Sequence, residues 1–149
     1  DEGCWRLGSL TKLWACPGLR LGYAVAPDEA SARALLDRQP RWAVNGIAAA
    51  LVPDLLAVTD LAGWHQAIVT LRHSLVDGLT ALGFDVTGTD ANWVLVRADG
   101  LRDRLAPLGV MVRDATSFGL AGTYRVALPR PEQLDRVLDA FARVAGSRP

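Results

Sequence analysis

The chain has 149 residues, half of them apolar and 21% charged, and its formal net charge is zero. This composition predicts a packed core rather than a disordered chain, the balanced charge argues against a nucleic-acid footprint, and no apolar run is long enough to cross a bilayer. Cys4 and Cys16 are too few and too widely spaced for a disulfide framework or a zinc site, and acidic Asp1 and Glu2 stand where a secretory signal would be basic, so a reducing, cytoplasmic setting is expected.

In chain order, residues 4–7 read as a short strand and residues 8–18 as a loop punctuated by Gly8, Ser9, Thr11, Pro17 and Gly18. Residues 19–26 read as a buried strand stopped by Pro27. Asp28 can cap a helix that Pro40 closes, and Asn45 a second, alanine-rich helix that Pro53 should bend or divide. Asp60 opens the clearest helix, in which Leu61, Trp64, Ile68, Leu71, Leu75, Leu79 and Leu82 form one apolar stripe and Gly83 suits the C-terminal cap. His65 and His73 fall on that helix two turns apart, roughly 11–12 Å, too far to share a metal ion, and no metal site is predicted. Beyond Gly83, strands over 84–87, Trp93–Arg97, 110–113 and 123–128 alternate with a helix over 101–108 and a closing helix that begins near Pro131. The expected organisation is an incomplete α/β piece over residues 1–60, a connecting helix over 61–83 and a small α+β domain over 84–149.

Of the sixteen basic residues, fifteen are Arg and one is Lys12. Compositional bias explains why lysine is scarce but not where the one lysine stands. Arginine replaces lysine on a solvated surface, but not in chemistry that needs a primary amine able to lose its proton. Around Lys12, Ser9 lies three residues before it, Thr11 one before it and Arg20 eight after it. A hydroxyl and a guanidinium fork are donors for phosphate, and a lysine amine condenses with an aldehyde. These residue types together suit a phosphate-bearing aldehyde cofactor.

The stretch Gly8-Ser9-Leu10-Thr11-Lys12, followed by Pro17-Gly18-Leu19-Arg20-Leu21-Gly22-Tyr23, resembles the lysine motif of fold-type I pyridoxal-phosphate enzymes, the class I/II aminotransferases. Within them it is most similar to the branch of histidinol-phosphate aminotransferase and threonine-phosphate decarboxylase, the latter an enzyme of cobalamin biosynthesis. The resemblance continues through Ala91-Asn92-Trp93-Val94-Leu95-Val96, Gly109-Val110-Met111-Val112-Arg113-Asp114 and Tyr124-Arg125-Val126-Ala127-Leu128. It implies an α/β fold in which the last part of the cofactor-binding large domain is followed by a small α+β domain. It implies that Lys12 is the Schiff-base lysine for pyridoxal 5'-phosphate and that Ser9 and Arg20 bind the cofactor phosphate. It implies that Arg125 pairs with the substrate carboxylate and that Arg113 lies near the substrate in the phosphorylated-substrate branch. The substrate would be an amino acid or phospho-amino acid, transformed at its α-carbon by transamination or decarboxylation. The complete enzyme would be a homodimer.

In that family the residues that stack on the cofactor ring and pair with its nitrogen come from an upstream segment, and eleven residues before Lys12 cannot supply them. The expectation is therefore a chain inactive alone, with a non-catalytic remnant or interaction module as the alternative. Ser9-x-x-Lys12 also fits the nucleophile motif of penicillin-binding proteins. That family needs a second lysine in a Lys-Thr-Gly element, which this chain lacks, and sets its motif on a helix, where a loop is expected here. Taken alone, Trp5, Trp14, Trp42, Trp64 and Trp93 read as core or interface aromatics, and Tyr23 as packing.

Overall fold

The computed structural model describes residues 3–146; Asp1, Glu2 and the last three residues lie outside the described part. The chain divides into two compact units, Asp1–Thr59 and Asp60–Pro149.

In the first unit, β1 (Arg6–Ser9) leads directly into α1 (Leu10–Leu13), and β2 (Gly22–Val25) returns antiparallel to β1 with Ser9 opposite Gly22 and Gly8 opposite Tyr23. Two expectations are corrected here. Residues 8–18 are not a plain loop, because Lys12 stands on a short helical turn. That helical turn also removes one of the two grounds against the penicillin-binding motif, and the missing second lysine remains. The strand expected buried over 19–26 is confined to Gly22–Val25 and is exposed along its length, because only one strand pairs with it and no buried layer covers either face.

Asp28 caps α2 (Glu29–Leu36) by accepting the Ser31 amide at 2.7 Å. Asn45 caps α3 (Gly46–Ala57) by accepting from the Ile47 and Ala48 amides. Pro53 stands inside α3 without dividing it.

The second unit opens with α4 (Leu61–Ala81), capped by Asp60, which accepts the Gly63 amide at 2.8 Å. Its apolar stripe divides into two parts. Leu75 and Leu79 are fully buried, whereas Leu61, Trp64 and Ile68 remain exposed. Gly83, at φ +79°, ends the helix in the left-handed conformation a C-terminal glycine adopts at little cost.

The strands β3 (Asp85–Thr87), β4 (Trp93–Arg97), β5 (Arg113–Asp114) and β6 (Thr123–Ala127) form an antiparallel sheet in the order β3-β4-β6-β5. The strand expected over 110–113 is displaced to Arg113–Asp114, because Val110 is still tied to the preceding helix through its amide to the Leu105 carbonyl. Between β4 and β5 runs α5 (Leu101–Leu105), extended by a 3-10 turn and closed by Gly109 at φ +73°. The chain closes with α6 (Leu134–Ala145), entered through a 3-10 turn at Pro131.

Alternation along β4 and β6 sends Val94, Val96, Tyr124 and Val126 into one core with Leu75, Leu79, Leu101, Leu105, Phe141 and Val144. Phe84 and Phe141 meet edge to face with ring centroids 5.2 Å apart. Each fully buried Leu or Phe contributes about 1.5–3 kcal/mol by leaving water. The opposite face of the sheet, carrying Trp93, Leu95, Arg97 and Arg125, lies away from this core.

Candidate active site

The geometry around Lys12 follows from one backbone crossing. The amides of Leu10 and Thr11 both donate to the Leu21 carbonyl, at 3.0 and 3.2 Å. This fastens the start of α1, directly after Ser9, to the residue that follows Arg20. The return is made by a 3-10 turn, Pro17–Leu19, bracketed by two non-glycine residues in the left-handed region, Ala15 at φ 51° and Arg20 at φ 46°. A side chain in that region costs on the order of 1–2 kcal/mol, and glycine would fill position 20 with less strain. The Arg20 guanidinium is exposed and donates to the Pro17 carbonyl at 3.4 Å.

Close strand approach shapes the same region. A Cβ on Gly22 would stand 2.7 Å from the Gly8 carbonyl oxygen, and one on Gly8 would stand 2.3 Å from the Tyr23 ring. Tyr23 therefore packs across Gly8, the packing role expected of it. Ser9 and Thr11 hydroxyls lie 2.9 Å apart, and Lys12 is exposed on α1.

The second group of expected residues lies in the other unit. Arg113 and Arg125 face each other directly across the β5–β6 pair, in a row that continues through Leu95 to Thr87. Among the described residues neither makes an ion pair; the pairs present are Arg33–Glu29 and Arg97–Asp85. Each guanidinium instead lies over a ring, Arg125 at 5.9 Å from the Trp93 centroid and Arg113 at 4.9 Å from that of Phe118. Like charges placed opposite each other destabilise a sheet, so two unpaired arginines in register mark a surface suited to anions. A cavity of about 150 Å³, lined by Asp85, Thr87, Leu95, Arg97, Leu120 and Thr123, opens on the same face.

Ser9, Lys12 and Arg20 are thus gathered within the first unit, and Arg113 and Arg125 within the second. Two features escaped sequence reasoning. Phe118 sits in an irregular turn where no periodicity marks it. Trp93 was assigned to packing, but it is half-buried and carries the Arg125 guanidinium. None of the five tryptophans belongs to the buried core, and Trp42 is 95% exposed. Asp114, beside Arg113, has its carboxyl held below the usual range by hydrogen bonds from the Thr116 side chain and amide. Among the described residues no helix alone is long and apolar enough to cross a membrane, and no cluster of three His, Cys, Asp or Glu side chains is placed to hold a metal ion.

Comparison with known proteins gives a consistent result. The family model for aminotransferase class I and II matches residues 3–141. A histidinol-phosphate aminotransferase of Mycobacterium tuberculosis is 37% identical over 135 residues, covering 85% of this chain and 36% of that protein. The threonine-phosphate decarboxylase of Salmonella typhimurium is 35% identical over 151 residues, covering 94% of this chain and 41% of its own. The crystal structure of the histidinol-phosphate aminotransferase from Clostridium acetobutylicum shares the fold with a TM-score of 0.80 at 24% identity, over 97% of this chain and 46% of that one. The chain therefore spans less than half the length of each.

Proposed function

This chain belongs to the aminotransferase class I and II family, whose cofactor is pyridoxal 5'-phosphate, and from that premise we propose that it carries the cofactor-attaching and substrate-gripping residues of an enzyme acting at the α-carbon of an amino acid. When bound, the cofactor supplies an electron sink for the electron pair left on that carbon. The donor set fits this group. Ser9 and Arg20 offer a hydroxyl and a guanidinium fork to a phosphate, and both are exposed on the same crossing as the primary amine of Lys12.

Lys12 is the attachment point. Its primary amine would hold the cofactor through the aldehyde, and when free it would serve as the base that takes or returns a proton at the α-carbon. Arg125 grips the α-carboxylate, and the Trp93 ring beneath its guanidinium fixes the direction of the fork. Arg113, directly across the strand pair, takes a second anionic group. This favours a phosphorylated amino acid over a plain one, and so the threonine-phosphate decarboxylase side of the branch, with its role in cobalamin biosynthesis. The observation that supports the reading is the pair of hydrogen bonds from the Leu10 and Thr11 amides to the Leu21 carbonyl, which join the lysine-bearing turn to the residue after Arg20. Because the chain spans 36% of its mycobacterial relative, full activity is expected to require more of the large domain than these residues contain, together with a homodimer in a cytoplasmic setting.

The test is reduction of the cofactor-loaded protein with borohydride, followed by peptide mapping. Label is expected on the peptide holding Lys12 and absent from Lys12→Ala, which should keep part of its cofactor affinity through Ser9 and Arg20. Label on any other residue would reject the assignment.

A further inference from the structure

Phe118 is a large apolar side chain that the fold does not need to bury. It is 59% exposed and stands outside the core cluster. Its position is nevertheless tightly fixed. The Thr116 amide donates to Asp114 Oδ1 at 2.7 Å, the Phe118 amide to the Ala115 carbonyl at 2.9 Å, and the Ala115 amide to the Thr123 carbonyl at 3.0 Å. Ala115 itself is buried, and Gly119 closes the turn at φ +79°, where a side chain would be strained. A rigid turn with an exposed ring at its tip is an arrangement for holding something, and what lies over the ring is the Arg113 guanidinium.

Arg113 needs such a support. It sits on a two-residue edge strand, exposed, with Arg125 directly opposite. Left free, its long side chain would turn into water away from the like charge, and an incoming anion would have to order it first. Arg125 is half-buried and leans over Trp93 on β4, whereas Arg113 leans over Phe118 in the turn that follows β5 in the chain. Each guanidinium thus has a ring of its own, which suits the two arginines to two anionic groups.

We propose that Phe118 is a specificity-determining positioning residue, whose ring holds Arg113 ready for the second anionic group of the substrate while Arg125 serves the first. This rests on the phosphorylated-substrate reading above. Tyr or Trp at position 118 would keep the support, whereas an aliphatic residue would keep the bulk and lose the ring face that attracts a cation.

The experiment titrates the full chain with O-phosphoserine and with serine. Affinity is read by calorimetry, and the Arg113 Nε–Hε resonance is followed for its ring-current shift. In Phe118→Leu, the ring-current shift should disappear and affinity for O-phosphoserine should fall about three- to fivefold, the scale of an exposed cation–π contact. Serine binding should hold, and Phe118→Tyr should restore both signals. Thermal unfolding should be unchanged, since the ring is not part of the core. If Phe118→Leu binds like the parent while Arg113→Gln loses the preference for O-phosphoserine, the role of Phe118 is overturned and the phosphorylated-substrate reading stands. If Arg113→Gln changes nothing, or the parent chain shows no preference, that reading falls and this inference falls with it.

Discussion

Residues 60–149 hold every fully buried large side chain of the described molecule, Leu75, Leu79, Val94, Val96, Leu101, Leu105 and Phe141, whereas the first 59 residues add only Ala48 to the buried apolar set. The same first stretch leaves Leu7, Trp42, Ile47 and Val58 between 74% and 95% exposed. Yet the candidate cofactor residues, Ser9, Lys12 and Arg20, are all in the uncovered unit, and the facing arginines are in the self-packed one. Chemical identity and physical self-sufficiency are therefore separated along this chain. The first unit is recognised by a motif, and the second by a core.

The largest effect should come from breaking the core. Phe141→Ala removes a fully buried ring and its edge-to-face partner contact with Phe84, at a cost of about 3–5 kcal/mol. Leu7→Ala, at a residue 78% exposed, should change stability by less than about 0.5 kcal/mol. Denaturant unfolding of both variants checks the contrast. Comparable losses would mean that the first unit possesses a core the burial pattern does not reveal.

The same separation governs what could be read in advance. Trp93–Arg97 and the facing of Tyr124 and Val126 were legible because alternation over several residues is imposed by a packed sheet. The helices at Asp28, Asn45 and Asp60 were legible because each begins with a side chain that accepts a backbone amide. The strand over 19–26 was read as buried because its apolar residues call for covering layers, and it stands exposed because the first unit contains none. The turn Leu10–Leu13 was missed because four residues are too few to show a helical period. Among the candidate site residues, Lys12, Ser9 and Arg20 were proposed from residue chemistry and spacing. Phe118 was not, because its position depends on hydrogen bonds that the Thr116 and Ala115 amides donate to Asp114 and Thr123, which no local pattern announces.

A smaller effect should separate two glycines of the first unit. The Cβ of Gly22→Ala would meet the Gly8 carbonyl oxygen at 2.7 Å, and that backbone atom can yield only if β1 and β2 move apart. The Cβ of Gly8→Ala would meet the Tyr23 ring at 2.3 Å, and an exposed ring can rotate away. Gly22→Ala should therefore cost about 1–3 kcal/mol, on the scale of overpacking, and weaken cofactor binding by spreading the crossing that joins Arg20 to Ser9. Gly8→Ala should cost less and leave cofactor affinity nearer the parent. The reverse order, in cofactor titration and thermal unfolding, would show that Tyr23 rather than the strand pairing holds the site together.

The smallest effect uses one chemical device present in both units. The Asp28 carboxyl is held below its ordinary value of 3.8, first by the Ser31 amide and then by the Ser31 hydroxyl. The Asp114 carboxyl is held below the same value, first by the Thr116 hydroxyl and then by the Thr116 amide. A folded-state value below the unfolded one means stability that is present above about pH 4 and is lost as pH falls through the lowered value. Both groups lie at the surface, so the change in total stability should be small, and the useful readout is local. The Ser31 and Thr116 amide resonances should titrate with midpoints below 3.8, and the titration should vanish in Asp28→Asn and Asp114→Asn, since asparagine still accepts the amide but carries no charge to lose. The units should then respond differently. α2 buries none of its residues, so loss of its cap should loosen the whole helix, seen as faster amide exchange through Leu36. The turn after Asp114 is tied to β6 through Ala115 and Thr123, so its loosening should stop at Gly119 while β6 and α6 stay protected. Equal spread of exchange from the two caps would refute the contrast between a unit named by its motif and a unit held by its core.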